Sequence, residues 1–254
     1  MKYLCLLLCL VAFSGIGNES KADFIVANWT FETYNGGSTQ GPNSPNLRAE
    51  AGTQAGSAVA SGTHANVSTI WSNPVGNGSI ESFSSAQWGI GDFYQFQFSS
   101  VGLSGINLSF DQARSGAGPE FFKVQWSADG ASFSDLSGGA YTVLINGTSG
   151  PGTWSSTGSR NAAYTSNFDL TAVTGLNNLS SAYIRLTATS APGNVNGASR
   201  VDNVSISAVP EPGTGVLIGL GLLAFSLSSR RNRVKPGVDS LRTKSSRSKA
   251  ATAI

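Results

Sequence analysis

The stretch "FYQFQFSSVGLSGINLSFDQ", Phe93 to Gln112, alternates apolar and polar residues in two runs. In the first, Tyr94, Phe96 and Phe98 share one face, opposite Gln95 and Gln97. In the second, Ile106, Leu108 and Phe110 stand against Asn107, Ser109 and Asp111. A period of two is the pattern of a strand with one face buried and the other in water.

The same pattern recurs along the chain. "FIVANWTFE" places Ile25, Ala27, Trp29 and Phe31 together, and "FFKVQWS" aligns Phe122, Val124 and Trp126. "YTVLI" aligns Tyr141, Val143 and Ile145, "YIRLTAT" aligns Ile184, Leu186 and Ala188, and "VDNVSIS" sets Val204 and Ile206 behind Asp202. Each run is bounded by Gly, Asn, Ser or Asp, the residues that turns select. Asp129-Gly130 is a turn dipeptide after the Trp126 run. Residues 34–62, rich in Gly, Ala, Ser, Asn and Pro, read as long loops. Seven or more short strands predict an all-β fold. The expected architecture is a single antiparallel β-sandwich of jelly-roll type over residues 23–208.

Composition agrees and narrows the function. Charged residues are 12% of the chain, half the usual ~25%, which favours turns and solvated strands over surface helices. The formal charge of +2 conceals a segregation. Six Lys/Arg face eleven Asp/Glu between Asp23 and Ala208, so that region is acidic and unsuited to nucleic acid. Eight basic residues crowd the segment from Arg230 onward. The two cysteines, Cys5 and Cys9, both lie in the apolar N-terminal run, so removal of that run leaves neither a disulfide framework nor a thiol nucleophile.

That N-terminal run, "MKYLCLLLCLVAFSG", has one early lysine and an apolar core of signal-peptide length, with small residues Ser20 and Ala22 before Asp23. Residues 1–22 are therefore expected to be a signal peptide. Near the other end stands "VPEPGTGVLIGLGLLAFSLSSRRNR", Val209 to Arg233. A helix from Pro212 to Arg230 measures about 28 Å, close to the hydrocarbon thickness of a bilayer. Arg230, Arg231 and Arg233 would hold its inner end on the cytoplasmic side. Val209 and Glu211 each precede a proline and are driven toward extended backbone, the form that processing enzymes bind. Residues 234–254 form a basic Ser/Ala-rich tail, expected to be disordered.

Pro210-Glu211-Pro212, an apolar helix and an arginine cluster, in that order, resemble the PEP-CTERM sorting signal of bacterial envelope proteins. The resemblance implies recognition by an exosortase, transient residence in the inner membrane, cleavage near the tripeptide, and delivery to the cell surface or extracellular matrix. The segment "GDFYQFQFSSVGLSGINLSFDQARSGAGPEFFKVQWSADGASF", with "RVDNVSIS", resembles the galactose-binding or laminin-G-like sandwiches of secreted bacterial proteins.

Candidate sites are few. His64 is the single histidine and reads as a solvated loop residue, which leaves no zinc site and no Ser–His–Asp triad. Asp92, Asp111, Glu120 and Asp202 supply carboxylates for glycoside chemistry, but each sits where a turn cap or solvated face explains it. Glu32 and Asp202 flank the first and last strands, which are neighbours in many jelly rolls, and are the candidate ligands for a structural Ca²⁺; no other cofactor is implied. Trp71, Trp88 and Trp154 lie in Ser/Gly/Asn-rich surroundings and are the candidate platforms for sugar rings. The expected function is a non-catalytic structural or adhesive protein of the envelope or matrix, in contact with extracellular polysaccharide. The alternatives are a dedicated carbohydrate-binding module and a secreted glycoside-acting enzyme.

Overall fold

The structure, a computed structural model, describes residues 23–35, 37–147 and 152–211. The expected signal peptide, the expected membrane helix from Pro212 and the basic tail lie outside the described residues. Among those described, no helix is long and apolar enough to cross a membrane.

Two sheets face each other. Sheet A is built on β8 (Leu103–Arg114) and β14 (Ser199–Pro210), which run antiparallel along most of their length. On the outer side of β14 lie β1 (Phe24–Trp29) and β6 (Phe83–Ser85), followed by β5 (Ile70–Ser72) and β2 (Thr39–Gln40). On the other side of β8 lie β12 (Thr165–Asp169) and the parallel stub β11 (Leu144–Ile145). Sheet B runs β10 (Ser134–Thr142), β9 (Phe121–Ser127), β13 (Ala182–Ala188), β7 (Phe93–Phe98), β4 (Val59–Thr63) and β3 (Leu47–Arg48), antiparallel throughout. Two single turns of 3-10 helix, Ala162–Tyr164 and Thr174–Leu176, complete the described elements.

The inner faces are those the alternation predicts. Tyr94, Phe96 and Phe98 of β7 and Ile106, Leu108 and Phe110 of β8 are buried in one core with Ile184, Leu186, Val204 and Ile206. The first and last strands pair, Trp29 opposite Val204 and Phe24 opposite Ala208. Strict alternation fails in β1. A bulge between Ile25 and Ala27 breaks the register, so Val26 and Ala27 are both buried while Ile25 is 49% exposed.

The reading of residues 34–62 as loop is corrected by β2, β3 and β4. The sequence "VASGT" of β4 looks unlike a core strand because its inward positions are Ala60 and Gly62. The missing bulk comes from Trp71, whose ring fills the space beneath Gly62; a Cβ there would sit 2.3 Å from the indole.

Candidate functional site

The sorting tripeptide begins inside the fold. Val209 of β14 pairs with Ser104 and Pro210 with Leu103, at the end of β8. One residue further, the Glu211 N–H donates to the Gly102 carbonyl at 2.9 Å. The motif is thus continuous with the strand at the centre of sheet A, with no intervening linker. Pro212, Arg230, Arg231 and Arg233 lie outside the described residues.

The three tryptophans expected as sugar platforms are corrected outright. Trp71, Trp88 and Trp154 are 0%, 4% and 3% exposed, and their rings pack inward. Trp71 stacks on Phe83 and donates Nε1–H to the Gly41 carbonyl at 2.9 Å. Trp88 meets Tyr94 and Phe122 edge-on and donates to Ser85. Trp154 forms a small second core with Tyr164 and Ala113 and donates to Val75 at 2.8 Å. Polar neighbours in sequence made these segments look solvated; the indoles themselves drive the burial.

His64 is likewise core and not loop surface. Its ring sits between Trp88 and Trp71, with centroids 4.3 and 4.7 Å away. The Thr69 hydroxyl, which donates to the Asn66 carbonyl, contacts His64 Nδ1 at 3.1 Å. The Ser85 hydroxyl contacts Nε2 at 3.3 Å. Asp92 Oδ2 lies 3.4 Å from Nδ1. Burial between the indoles outweighs a hydrogen bond with the Gln87 backbone and pushes the histidine down to about 4. Asp92 is itself raised by burial, against the pull of the Ala65 and Gly89 amides it accepts from. Ser85, His64 and Asp92 thus stand in the order of a hydrolase triad, contrary to the expectation that none could be assembled. Ser85 is only 1% exposed and its hydroxyl also contacts the buried Tyr94 hydroxyl, so the arrangement offers no approach to a substrate carbonyl.

The densest polar constellation lies between β8 and β14. Asp111 and Asp202 face each other in register, both wholly buried. Alternation along β8 sets Asp111 on the polar face, which the fold nevertheless buries. Arg160 clamps Asp111 with Nε and Nη2, each at 2.6 Å, and the Thr165 hydroxyl donates to the same carboxylate. Asn77 bridges the pair: its backbone N–H donates to Asp202 at 2.7 Å and its side-chain amide to Asp111 at 2.9 Å. A bulge after Asp202 turns Asn203 to a φ of 48°, which carries its amide to both carboxylates. Gly76 lets the 75–82 loop close down on Asp202, since a Cβ there would overlap the Ser79 hydroxyl and approach Asp202 to 2.5 Å. Burial raises Asp202 to about 7, opposed by the hydrogen bonds from Ser79, Asn77 and Asn203.

Glu32 and Asp202, the candidate calcium pair, both serve this loop. Glu32 accepts from the Glu81 N–H at 2.9 Å, while Asp202 accepts from Ser79 and Asn77. The neighbours of Asp202 are N–H and O–H donors, where a cation needs further oxygens. Among the described residues, no three His, Cys, Asp or Glu are arranged to hold a metal.

A feature absent from sequence reasoning lies on the outer face of sheet B. A groove of about 520 Å³ is bounded by Asn46, Arg48, Gln54, Ser61, Gln95 and Gln97, with Ser180 and Ser181 at its end. Its only sequence signal is the outward Gln-x-Gln of β7, which a solvated strand face explains equally well.

Residues 208–231 match the PEP-CTERM protein-sorting motif, which implies an exported protein carrying a C-terminal signal for exosortase processing. No curated protein matches the chain. Among solved structures, the K3 cleaved adhesin domain of Lys-gingipain from Porphyromonas gingivalis w83 is 17% identical, with 73% of this chain and 98% of that one covered and a TM-score of 0.37. The K1 cleaved adhesin domain of the same protein is 13% identical over 73% and 97%, with a TM-score of 0.38. TmCBM61 in complex with beta-1,4-galactotriose is 8% identical over 57% and 72%, with a TM-score of 0.27. At these scores and identities the neighbours carry no argument about a site. The chain is similar to β-sandwich adhesin and carbohydrate-binding modules, and it ends its last strand in a sorting motif.

Proposed function

We propose that the protein is a non-catalytic structural or adhesive component of a bacterial envelope or extracellular matrix, held by its C-terminal helix until an exosortase releases it. The observation that carries this reading is the sorting motif itself, joined without a linker to β14. The tripeptide continues a paired strand, so a cut before Ala208 would strip β14 of residues that β1 and β8 hold. The released form therefore keeps Ala208 and ends between Glu211 and Arg230.

The arrangement of the candidate catalytic groups supports a non-catalytic role. Asp111 and Asp202 are saturated by Arg160, Asn77, Asn203, Thr165 and Ser79. A carboxylate pair for glycoside hydrolysis must instead face a cleft that admits the sugar. Ser85 is sealed beneath aromatic rings.

Mass spectrometry of both ends of the protein recovered from outside the producing cell tests the proposal. The expected species starts at Asp23 and stops between Glu211 and Arg230. A secreted or surface form that retains Arg230 to Ile254 would refute release by processing.

A further inference from the structure

The outer face of sheet B carries a transverse row of polar side chains, one from each of five strands. Ser61 stands opposite Gln95, Gln95 opposite Arg185, Arg185 opposite Gln125, and Gln125 opposite Asp135. Most of the row is internally wired. Arg185 Nε donates to Gln95 Oε1 at 2.8 Å, and Gln125 Nε2 donates to Asp135 at 2.8 Å. The Arg185 guanidinium lies 3.7 Å from the Phe93 ring centroid and 3.4 Å from that of Phe133. Those two rings are therefore capped, and this part of the face offers no apolar pocket for a protein anchor.

The groove at the β4 end of the row differs in what it leaves open. Its wall is fixed by Gln54, whose amide exchanges both hydrogen bonds with the backbone of Ser99. Gln95 spends its oxygen on Arg185, so its NH₂ group is left to donate. Gln97 spends its nitrogen on Ser181, so its oxygen is left to accept. Among the described residues, the side chains of Asn46 and Ser61 make no hydrogen bond at all, and both line the groove. A free donor and a free acceptor thus sit two residues apart on one strand, about 7 Å along β7. Ser61 lies one strand across from Gln95.

The lining contains no carboxylate, and its one cation, Arg48, donates to the Ser57 carbonyl at 3.0 Å. The groove therefore carries a single cation, no carboxylate to recruit a cationic partner, and no hydrophobic slot. It does have paired amide and hydroxyl groups of the kind that engage neighbouring hydroxyls. We infer that this groove is a binding site for a neutral polysaccharide chain, seated by hydrogen bonds from Gln95, Gln97, Asn46 and Ser61 and not by aromatic stacking. The inference deepens the adhesive reading and rests on it, with the contact moved from the tryptophans to a sheet face. Each site is weak alone, and many copies in a matrix supply avidity.

The test is affinity electrophoresis of the full-length protein in detergent, in native gels containing amylose, laminarin, galactomannan or alginate. At least one neutral polymer should retard the protein, with retardation insensitive to salt. Gln95→Ala/Gln97→Ala should weaken it at least fivefold, and Ser61→Trp, which fills the groove, should abolish it. Ser109→Ala, on the outer face of sheet A, should leave it unchanged. All four positions are partly solvated, and the thermal midpoint of each variant verifies the fold. Retardation by alginate alone, lost on adding salt, would overturn the inference in favour of an ionic surface. Retardation that survives the groove substitutions would place the site elsewhere. A protein that no neutral polymer retards overturns the site while the end-group masses still decide export.

Discussion

Replacing His64 by phenylalanine should make folding stability rise as the pH falls below neutrality, where the native protein changes little. Two buried groups act in opposite senses. His64 is depressed to about 4 in the fold against an unfolded value near 6.5. The unfolded chain therefore binds its proton first, and stability from this residue, complete above pH 6.5, drains away as the pH falls toward 4. Between pH 7 and pH 4.5 the loss is roughly 2.4 kcal/mol. Asp202 is raised to about 7 against 3.8. The fold keeps its proton where the unfolded chain releases it, so its contribution is complete below pH 3.8 and lost as the pH rises through 7. Going from pH 7 to 4.5, it adds roughly 3 kcal/mol. The native protein should therefore show little net change across this interval from these two residues. Phenylalanine keeps a ring between Trp71 and Trp88 and removes only the titration. It orphans nothing: Thr69 still donates to Asn66, Ser85 still meets Tyr94, and Asp92 still accepts from Gly89 and Ala65. Urea unfolding of both proteins at the two pH values measures the difference, in which all other carboxylates except the adjacent Asp92 cancel. The variant should become more stable at pH 4.5 relative to the native protein by roughly 2.4 kcal/mol. Parallel pH profiles for the two proteins would refute the assignment of His64 as a neutral core residue.

Two substitutions test the other buried devices. Arg160→Ala strips the Asp111 carboxylate of its two guanidinium bonds, and should cost about 3 kcal/mol in urea unfolding, the low end for a broken buried pair because the guanidinium is partly solvated. Arg160→Lys should recover little of it, since a single ammonium cannot replace the two parallel bonds to Asp111. Gly62→Ala drives a methyl into the rigid Trp71 ring and should cost about 1–3 kcal/mol in thermal unfolding, whereas Gly116→Ala, which meets nothing within 4 Å, should be near neutral.

The sheets were legible because their signal is local. In β7 and β8 each inward residue is itself large, so a period of two survives in the bare sequence. It was illegible in β4, whose inward side is Ala60 and Gly62 and whose volume is lent by Trp71 from another strand. The tryptophans misled for the complementary reason: their neighbours are polar, but one indole outweighs them in buried area. The Asp111 cluster could not be read at all. Its partners Asn77, Arg160 and Asn203 stand 34, 49 and 92 residues away, and alternation puts Asp111 on the polar side of its strand. What alternation does not reveal is that the 75–82 loop and the 152–164 segment cover that side of β8, as Asn77 and Arg160 reaching Asp111 both record. A polar residue on an outward face is solvated only if nothing further is laid over it.

The same wiring explains how so charge-poor a protein uses its charges. Every one of the six Lys/Arg between Asp23 and Ala208 is committed inside the fold. Arg48 donates to Ser57, Arg114 to Val143, and Arg200 to Val75. Lys123 pairs with Asp135, Arg160 with Asp111, and Arg185 lies between two phenylalanine rings. The guanidinium of Arg185 is drawn down to about 10 by desolvation. These cations staple loops to strands where larger domains would add apolar core. The charge left outward is acidic: Glu120, Asp129 and Asp169 stand exposed, and eleven carboxylates outnumber the six cations. Such a surface repels anionic partners, and against a neutral hydrated polymer it must bind by short-range hydrogen bonding, repeated over many copies.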